Sequence, residues 1–367
     1  MILQAVHIKN FRNIENVYYE PAQRLNIFIG ENGQGKTNLL EAIYVLAQGS
    51  SFRSINDVDL LRYDTDQYEI QGRYLKEEKK VDAALSYNSS GSKVFKINGK
   101  KTALNSTERL RVVAFTPDDL YLVKGPPSQR RSFLDFGLKQ ISADYHQYWD
   151  DFYRLLRKRN IAFKRSPGNV KGQEILEEMF CDKAAHIILT RLNYINVINI
   201  RARDIFKALN PTGGEVMIRY ALSFALGNGK INGDCIKGAL AEEIQGKRAL
   251  EAQRGTSMFG PHRDDVYIYL DGRLARHFAS QGQQRNLVVS IKLAELEAFR
   301  EVKGYYPLFL LDEVLAELDE EKKRLLLEFL GKAEFQCFLS SVNLDVLEKT
   351  TRARVSLVQA GSLLRRE

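Results

Sequence analysis

Near the start of the chain, Gly30-Glu31-Asn32-Gly33-Gln34-Gly35-Lys36-Thr37 carries the spacing G-x-x-x-x-G-K-[ST]. Glycines at these positions let the backbone turn so that successive N–H groups face a chain of phosphates. Lys36 then sets a point charge against the β- and γ-phosphates, and the Thr37 hydroxyl is offered to Mg²⁺. Far downstream, Leu308-Phe309-Leu310-Leu311-Asp312-Glu313 is an apolar run that ends in two carboxylates. Asp312 is suited to hold Mg²⁺ through water, and Glu313 to polarise an attacking water as general base. Together the motifs predict a nucleotide site with Lys36, Asp312 and Glu313 as its catalytic groups, and Thr37 and Asp312 on the metal. A third segment, Ala279-Ser280-Gln281-Gly282-Gln283-Gln284-Arg285, precedes a helical run. Ser280 and the Gly282 N–H suit an anion at a helix N-terminus, but by itself the segment favours an ordinary helix cap with Ser280 as the cap residue.

The elements around these motifs follow from hydrophobic period. Strand-like stretches cover Leu3 to Phe11, Val17 to Glu20 and Leu25 to Ile29. After Gly30 the period becomes helical, with Leu39, Leu40, Ile43, Leu46 and Ala47 on one face. Alternating runs near Tyr68–Tyr74, Val81–Tyr87 and Val94–Ile97 predict further strands, with Asn98-Gly99 as a hairpin turn. Arg111–Phe115 reads as another. From about residue 128 helices dominate: Tyr145, Tyr148, Trp149, Phe152, Leu155 and Leu156 recur at helical spacing, and a second run extends from Ile175 to Ile198. Ser166-Pro167-Gly168-Asn169 breaks the chain between them. Strand character returns at Val266–Leu270, then a helix over Leu287–Phe299 and a buried strand at Leu308–Leu311. The chain thus begins and ends in α/β material around a helical insert. The expected division is 1–118 with 256–367 as a discontinuous nucleotide-binding head, and 119–255 as the insert.

Composition narrows the function classes. The 367 residues are 44% hydrophobic and 27% charged, which excludes disorder over most of the chain. Three dispersed cysteines, Cys181, Cys235 and Cys337, exclude a disulfide scaffold and a cysteine-rich zinc site. No leader pattern and no long apolar stretch is present, so no membrane is expected and the cytoplasm is the expected compartment. The net charge of +8 is compatible with a polyanionic partner.

The order phosphate loop, S-x-G-Q, acidic strand and Leu315-Ala316-Glu317-Leu318-Asp319 resembles the ABC-type ATPase heads of the SMC and RecF class. Some 275 residues separate Thr37 from Asp312, without the sustained heptads of an SMC coiled coil. The segments Lys9-Asn10-Phe11-Arg12-Asn13, Gly49-Ser50-Ser51-Phe52-Arg53, Phe115-Thr116-Pro117-Asp118-Asp119-Leu120, Gly125 to Asp135 and Gly260-Pro261-His262-Arg263-Asp264-Asp265 are similar to blocks of the RecF family. The resemblance implies a P-loop ABC-ATPase-type α/β head with a mostly helical inserted lobe, and ATP with Mg²⁺ as cofactors. It implies ATP held between two copies, the loop of one facing Ser280 and Gly282 of the other, with Asp319 crossing the interface. The implied nucleotide set is Arg12, Asn13, Gly30, Glu31, Asn32, Gly33, Gln34, Gly35, Lys36, Thr37, Asn38, Ser280, Gly282, Gln283 and Asp319. It further implies binding to double-stranded DNA or its junction with single strands, gap repair, RecA loading through RecR, and the SOS response.

Two departures point to slow turnover. The five histidines all precede Asp312, so the switch histidine of ABC transporters is missing, and Phe338-Leu339-Ser340-Ser341 offers only hydroxyls at that place. No glutamine stands beside Phe115. For DNA, the insert carries Arg154, Arg157, Lys158, Arg159, Lys164 and Arg165, charges that also suit a solvated helix face. Arg130 and Arg131 are expected to cap a helix or pair with Asp135, and His262 to Asp265 to form a structural ion-pair corner. The rival readings are an ATPase subunit of a membrane transporter and a nucleotide-binding scaffold without turnover. The missing histidine and the large insert oppose the first, and Glu313 the second.

Overall fold

The structure is a computed structural model. It describes residues 1–103, 106–165, 170–211, 213–227, 230–316, 318–342 and 353–365, with the side chains of 165, 170–173 and 365 outside the description. The predicted break at 166–169 and residue Glu317 therefore lie outside the described residues.

In chain order the elements are β1 (Ile2–Phe11), β2 (Ile14–Tyr19), β3 (Leu25–Ile29), α1 (Lys36–Gln48), β4 (Gln67–Lys76), β5 (Lys79–Asn88), β6 (Lys93–Ile97), β7 (Lys100–Lys101) and β8 (Val112–Phe115). Then come α2 (Tyr121–Lys124), α3 (Pro127–Ile141), α4 (Ala143–Arg165), α5 (Val170–Leu209), β9 (Val216–Ala221), α6 (Gly233–Arg254), β10 (Asp265–Leu270) and β11 (Arg273–Leu274). The last are α7 (Ala275–Phe278), α8 (Gln281–Lys303), β12 (Leu308–Leu311), α9 (Glu320–Lys332), β13 (Cys337–Ser341), β14 (Ala353–Gln359) and β15 (Ser362–Arg365).

Two compact units result. The first comprises Met1–Leu120, Ala208–Thr212 and Gln281–Glu367. It holds an antiparallel sheet of order β2-β1-β4-β5-β6-β7 and a second sheet of order β15-β14-β3-β13-β12-β8. In the second sheet all pairs are parallel except β14 with β15. Strands β3, β8, β12 and β13 are buried along their whole length, the state that the unbroken apolar run Leu308–Leu311 predicts for β12. Strand β4 instead alternates, with Tyr68, Ile70 and Tyr74 inward. Helix α1 supplies Leu39, Leu40, Ile43 and Leu46 to the same core as Leu3, Ile70, Leu85, Leu308 and Phe338. Each such side chain contributes about 1.5–3 kcal/mol by leaving water. That packing fixes the N-terminus of α1, and with it the phosphate loop, above the ends of β3, β13 and β12.

The second unit comprises Tyr121–Lys207 and Gly213–Ser280. It combines helices α3 to α6 with a small antiparallel sheet of order β11-β10-β9. The sequence reading closes the insert at 255, whereas this unit continues to Ser280. The cause is strand pairing: β10 matches β9 at all six positions, from Asp265↔Ala221 to Leu270↔Val216. Neither β9 nor α6 is anticipated from hydrophobic period. Helix α6 is mostly polar and buries only Ile236, Leu240, Ile244 and Glu251. Its ends are nonetheless well defined, with the Asn232 side chain accepting from Cys235 N at 2.8 Å and Gly255 left-handed after the last turn. Among the described residues no helix is long and apolar enough to cross a membrane.

Candidate nucleotide site

The loop 30–37 leaves strand β3 and enters α1 without a side-chain cap. Gly35 has φ of 111°, a region that side chains other than glycine's rarely adopt, and a Cβ there would fall 2.8 Å from Asn13 Oδ1. Glu31, Asn32 and Gly33 are exposed, Gln34 and Thr37 half-buried, and Gly30 and Lys36 buried. Lys36 Nζ donates to the Gly30 carbonyl at 2.7 Å and the Glu31 carbonyl at 2.8 Å. Its ammonium thus closes the loop on itself, with burial lowering its pKa against the opposing pull of Glu313 and Asp312. A phosphate oxygen would offer that ammonium a full charge in place of two carbonyl dipoles.

The acidic pair lies at the same point. Thr37 Oγ1 donates to Asp312 Oδ1 at 2.9 Å, and Ser340 Oγ donates to the same oxygen at 2.8 Å. Ser340 Oγ also accepts from Glu313 N at 2.9 Å. Burial raises the Asp312 pKa, opposed by the hydroxyl bonds from Ser340 and Thr37. Glu313 is half-buried with φ of 52°. A non-glycine residue in that region costs about 1–3 kcal/mol and persists where the surroundings over-determine it. The Asp312 N–H to Phe115 carbonyl bond at 2.9 Å and the Ser340 bridge do so here. A hydroxyl and a carboxylate 2.9 Å apart are hard oxygen donors that suit Mg²⁺ completed by phosphate and water. Among the described residues no cluster of three or more His, Cys, Asp or Glu could hold a metal by itself.

Behind the loop, Asn13 Nδ2 donates to the Gln34 carbonyl at 3.2 Å, and Asn38 Nδ2 to Asn13 Oδ1 at 2.8 Å. Arg12 forks onto the fully buried Glu41 at 3.0 and 2.8 Å and donates to the Asp59 carbonyl at 2.8 Å. The hairpin tip between β14 and β15 braces the loop from the other side. Ala360 N donates to Gln34 Oε1 at 2.7 Å and Gly361 N to the Gln34 carbonyl at 2.8 Å. Gly361 is required there, since a Cβ would meet the Asn13 carbonyl at 2.3 Å. Sequence reasoning notes Ser340 as a hydroxyl but gives it no role, and misses Glu41 and the hairpin altogether. Nothing in the local sequence of 360–361 signals a partner 326 residues away.

The remaining sequence-predicted residues sit elsewhere. Ser280 is exposed at the end of the second unit, and Gly282 and Gln283 lie in the first turn of α8. Asp319 caps α9, accepts from Lys322 N at 2.9 Å and pairs with the Lys322 ammonium, which lowers its pKa. On α4, Arg154, Arg157, Lys158 and Lys164 are exposed, Arg154 beside Asp151; the side chain of Arg165 lies outside the described residues.

Arg159 is a correction to the basic cluster. It is 1% exposed and meets Glu177 at 3.1 Å, Glu251 at 2.6 Å and Ser257 at 2.7 Å. Helical spacing turns it inward while its neighbours face solvent. Arg130 forks onto Asp265 at 2.7 and 3.0 Å rather than pairing with Asp135, and Arg131 donates to the Asp264 carbonyl at 2.8 Å. Asp135 instead receives Arg191, Tyr145 and Trp149. The corner at 262–265 is structural, with Asp264 buried against Tyr220 and Ser223 and the His262 pKa lowered by burial to about 4.

With this geometry in hand, comparison with known proteins gives the class. Residues 2–362 match the family model of the RecF/RecN/SMC N-terminal domain. The chain is 33% identical over its whole length to the DNA replication and repair protein RecF of Heliobacterium modesticaldum, covering 99% of that protein. It is 34% identical to that of Geotalea uraniireducens, over 99% of this chain and 100% of the relative. A solved structure of the recombination mediator protein RecF with ATP, in the RecFOR pathway, is similar with a TM-score of 0.87 and 28% identity, covering all of this chain and 98% of the other. The chain belongs to the RecF family, within the RecF/RecN/SMC class of ABC-type ATPase heads.

Proposed function

We propose that the chain is an ATP-driven DNA-binding switch. ATP with Mg²⁺ occupies the phosphate loop, with Lys36 on the β- and γ-phosphates and Thr37 and Asp312 at the metal. Gly30 to Asn38, Arg12 and Asn13 form one half of the site. Ser280, Gly282, Gln283 and Asp319 of a second copy form the other, so that ATP joins a homodimer. Glu313 is the general base for water attack. Turnover is slow, because hydroxyls stand where a fast ABC ATPase carries a switch histidine. The joined dimer clamps double-stranded DNA or a junction with single strands, with Arg154, Arg157, Lys158 and Lys164 on phosphates, and DNA stimulates the turnover that releases it. The protein acts in the cytoplasm in gap repair, RecA loading with RecR, and the SOS response.

The observation that carries this reading is the hydroxyl–carboxylate chain Thr37–Asp312–Ser340–Glu313 beside a lysine that, among the described residues, donates to two loop carbonyls. The names of the relatives support the repair role. The test is solution mass by light scattering without nucleotide, with ADP-Mg and with ATP-Mg. A dimer is expected only with ATP. Lys36→Ala and Ser280→Arg are expected to stay monomeric, Ser280→Arg while still binding ATP. A wild type indifferent to ATP, or a Ser280→Arg protein that dimerises normally, sinks the composite site.

A further inference from the structure

Lys292 and Glu295 lie one turn apart on α8, and both are buried, at 6% and 2% exposure. Lys292 Nζ reaches Asp119 Oδ1 at 2.9 Å and Glu295 Oε2 at 3.7 Å. Asp119 belongs to the turn Pro117–Leu120 that follows β8. The two carboxylates are not served alike. Asp119 Oδ2 also accepts from Thr116 N at 2.7 Å and from Thr116 Oγ1 at 3.0 Å. Among the described residues neither oxygen of Glu295 accepts a hydrogen bond. One ammonium against two carboxylates leaves an uncompensated buried negative charge, which is relieved by taking up a proton. Asp119 has three donors and Glu295 has none, so the proton belongs on Glu295. Burial is the largest cause that raises the Glu295 pKa to about 7, with Lys292 opposing it and Asp119 adding to it. From the other elements packed here, α1 brings Tyr44, whose hydroxyl burial keeps protonated, and the segment before β8 brings Arg109.

The trio joins two parts of the head. Helix α8 holds Gly282 and Gln283 in its first turn. Thr116 directly follows Phe115, whose carbonyl accepts from Asp312 N at 2.9 Å. We infer that Lys292, Asp119 and Glu295 form a proton-operated latch between α8 and the strand ends that hold the acidic pair Asp312 and Glu313. With Glu295 protonated, Lys292 belongs to Asp119 alone, and α8 is tied to the Thr116 turn. With Glu295 ionised, the ammonium is divided between two carboxylates and the tie weakens. The three are positioning residues, acting through the Thr116 turn and α8. The inference rests on the reading of the acidic pair as part of the ATP site and adds a control on it, in which turnover is faster in the protonated form.

The test compares wild type, Glu295→Gln and Asp119→Asn in the full chain, by urea unfolding and by phosphate release from Mg-ATP, between about pH 5.5 and about pH 8.5. The folded-state pKa of Glu295 is raised, so the stability contributed by its proton is fully present below the ordinary value of 4.5 and is lost as pH rises to about 7. The urea midpoint of wild type is therefore expected to fall relative to that of Glu295→Gln, whose amide stands for the protonated acid. Over the same range the wild-type kcat is expected to fall about threefold or more relative to Glu295→Gln, with KM nearly unchanged. Asp119→Asn is expected to lose the pH slope in stability, because one ammonium then meets one carboxylate. Midpoints of wild type and Glu295→Gln that run parallel overturn the inference, since Glu295 then holds no such proton. An Asp119→Asn protein that keeps the wild-type slope overturns the sharing of Lys292, since burial alone then holds the proton. A slope in the midpoint with a constant ratio of kcat overturns the latch and leaves the trio structural. If wild type releases no phosphate at any pH, the ATP reading fails and the latch with it, whereas the unfolding comparison still tells whether the trio holds the proton.

Discussion

Buried charge is handled in two ways in this molecule. In the helical unit, Arg159 meets two carboxylates and a hydroxyl, and Arg191 meets Asp135, Tyr145, Tyr220 and the Pro261 carbonyl. At the phosphate loop, Lys36 is 3% exposed yet holds two backbone carbonyls, and Asp312 is 4% exposed yet holds two hydroxyls. The first arrangement is closed, because each charge already faces its opposite. The second is open, because dipoles stand where charges would bind more strongly. The same residue types thus form a scaffold in one unit and a waiting site in the other. What separates them is the partner and not the degree of burial.

The largest test of this contrast is stability. Arg191→Met leaves the Asp135 carboxylate, Tyr220 and a carbonyl short of a buried partner, and is expected to cost about 3–5 kcal/mol in urea unfolding. Lys36→Met is expected to cost less, about 1 kcal/mol, since the ammonium's hydrogen bonds go to two loop carbonyls rather than to a carboxylate. Equal losses would remove the distinction between closed and open charge.

The next effect is on rate. Ser340 bonds the Asp312 carboxylate and the Glu313 N–H and is assigned to act through them, as a positioning residue. Ser340→Ala is expected to lower kcat for phosphate release about tenfold with KM nearly unchanged, and Ser340→Thr to restore it. An unchanged kcat would reduce Ser340 to packing.

The last effect is a pH slope. Burial lowers the His262 pKa from 6.5 in the unfolded chain to about 4 in the folded one. The folded state therefore binds the proton less readily, and stability is lost as pH falls from about 6.5 towards 4. His262→Gln is expected to flatten that part of the melting-temperature profile, and a profile that matches wild type would mean that His262 does not titrate there.

Much of the head was legible because its signals are local. The phosphate loop, the apolar strand before Asp312 and the helical face of Leu39, Leu40, Ile43 and Leu46 each depend on spacing within about a dozen residues. Helix α6 was not legible, because a helix that buries one narrow stripe carries little periodic contrast. Arg159 was misassigned for a related reason. Its neighbours Arg157 and Lys158 share its charge, and only the arrival of Glu177 and Glu251 from other helices shows that it faces inward.

By itself the sequence determined the chemistry available: which groups can meet phosphates, which carboxylates can serve a metal or a water, and which strand and helix carry them. These follow from residue type and short-range period, which the backbone geometry enforces. Tertiary structure decided which of those groups are already taken. It joined Asp312 to Ser340, laid the hairpin at Ala360 and Gly361 against Gln34, and closed Arg159 and Arg191 into ion pairs. The physical reason is that the partner of a buried charge is chosen by packing between segments distant in the chain, and no local pattern encodes that choice.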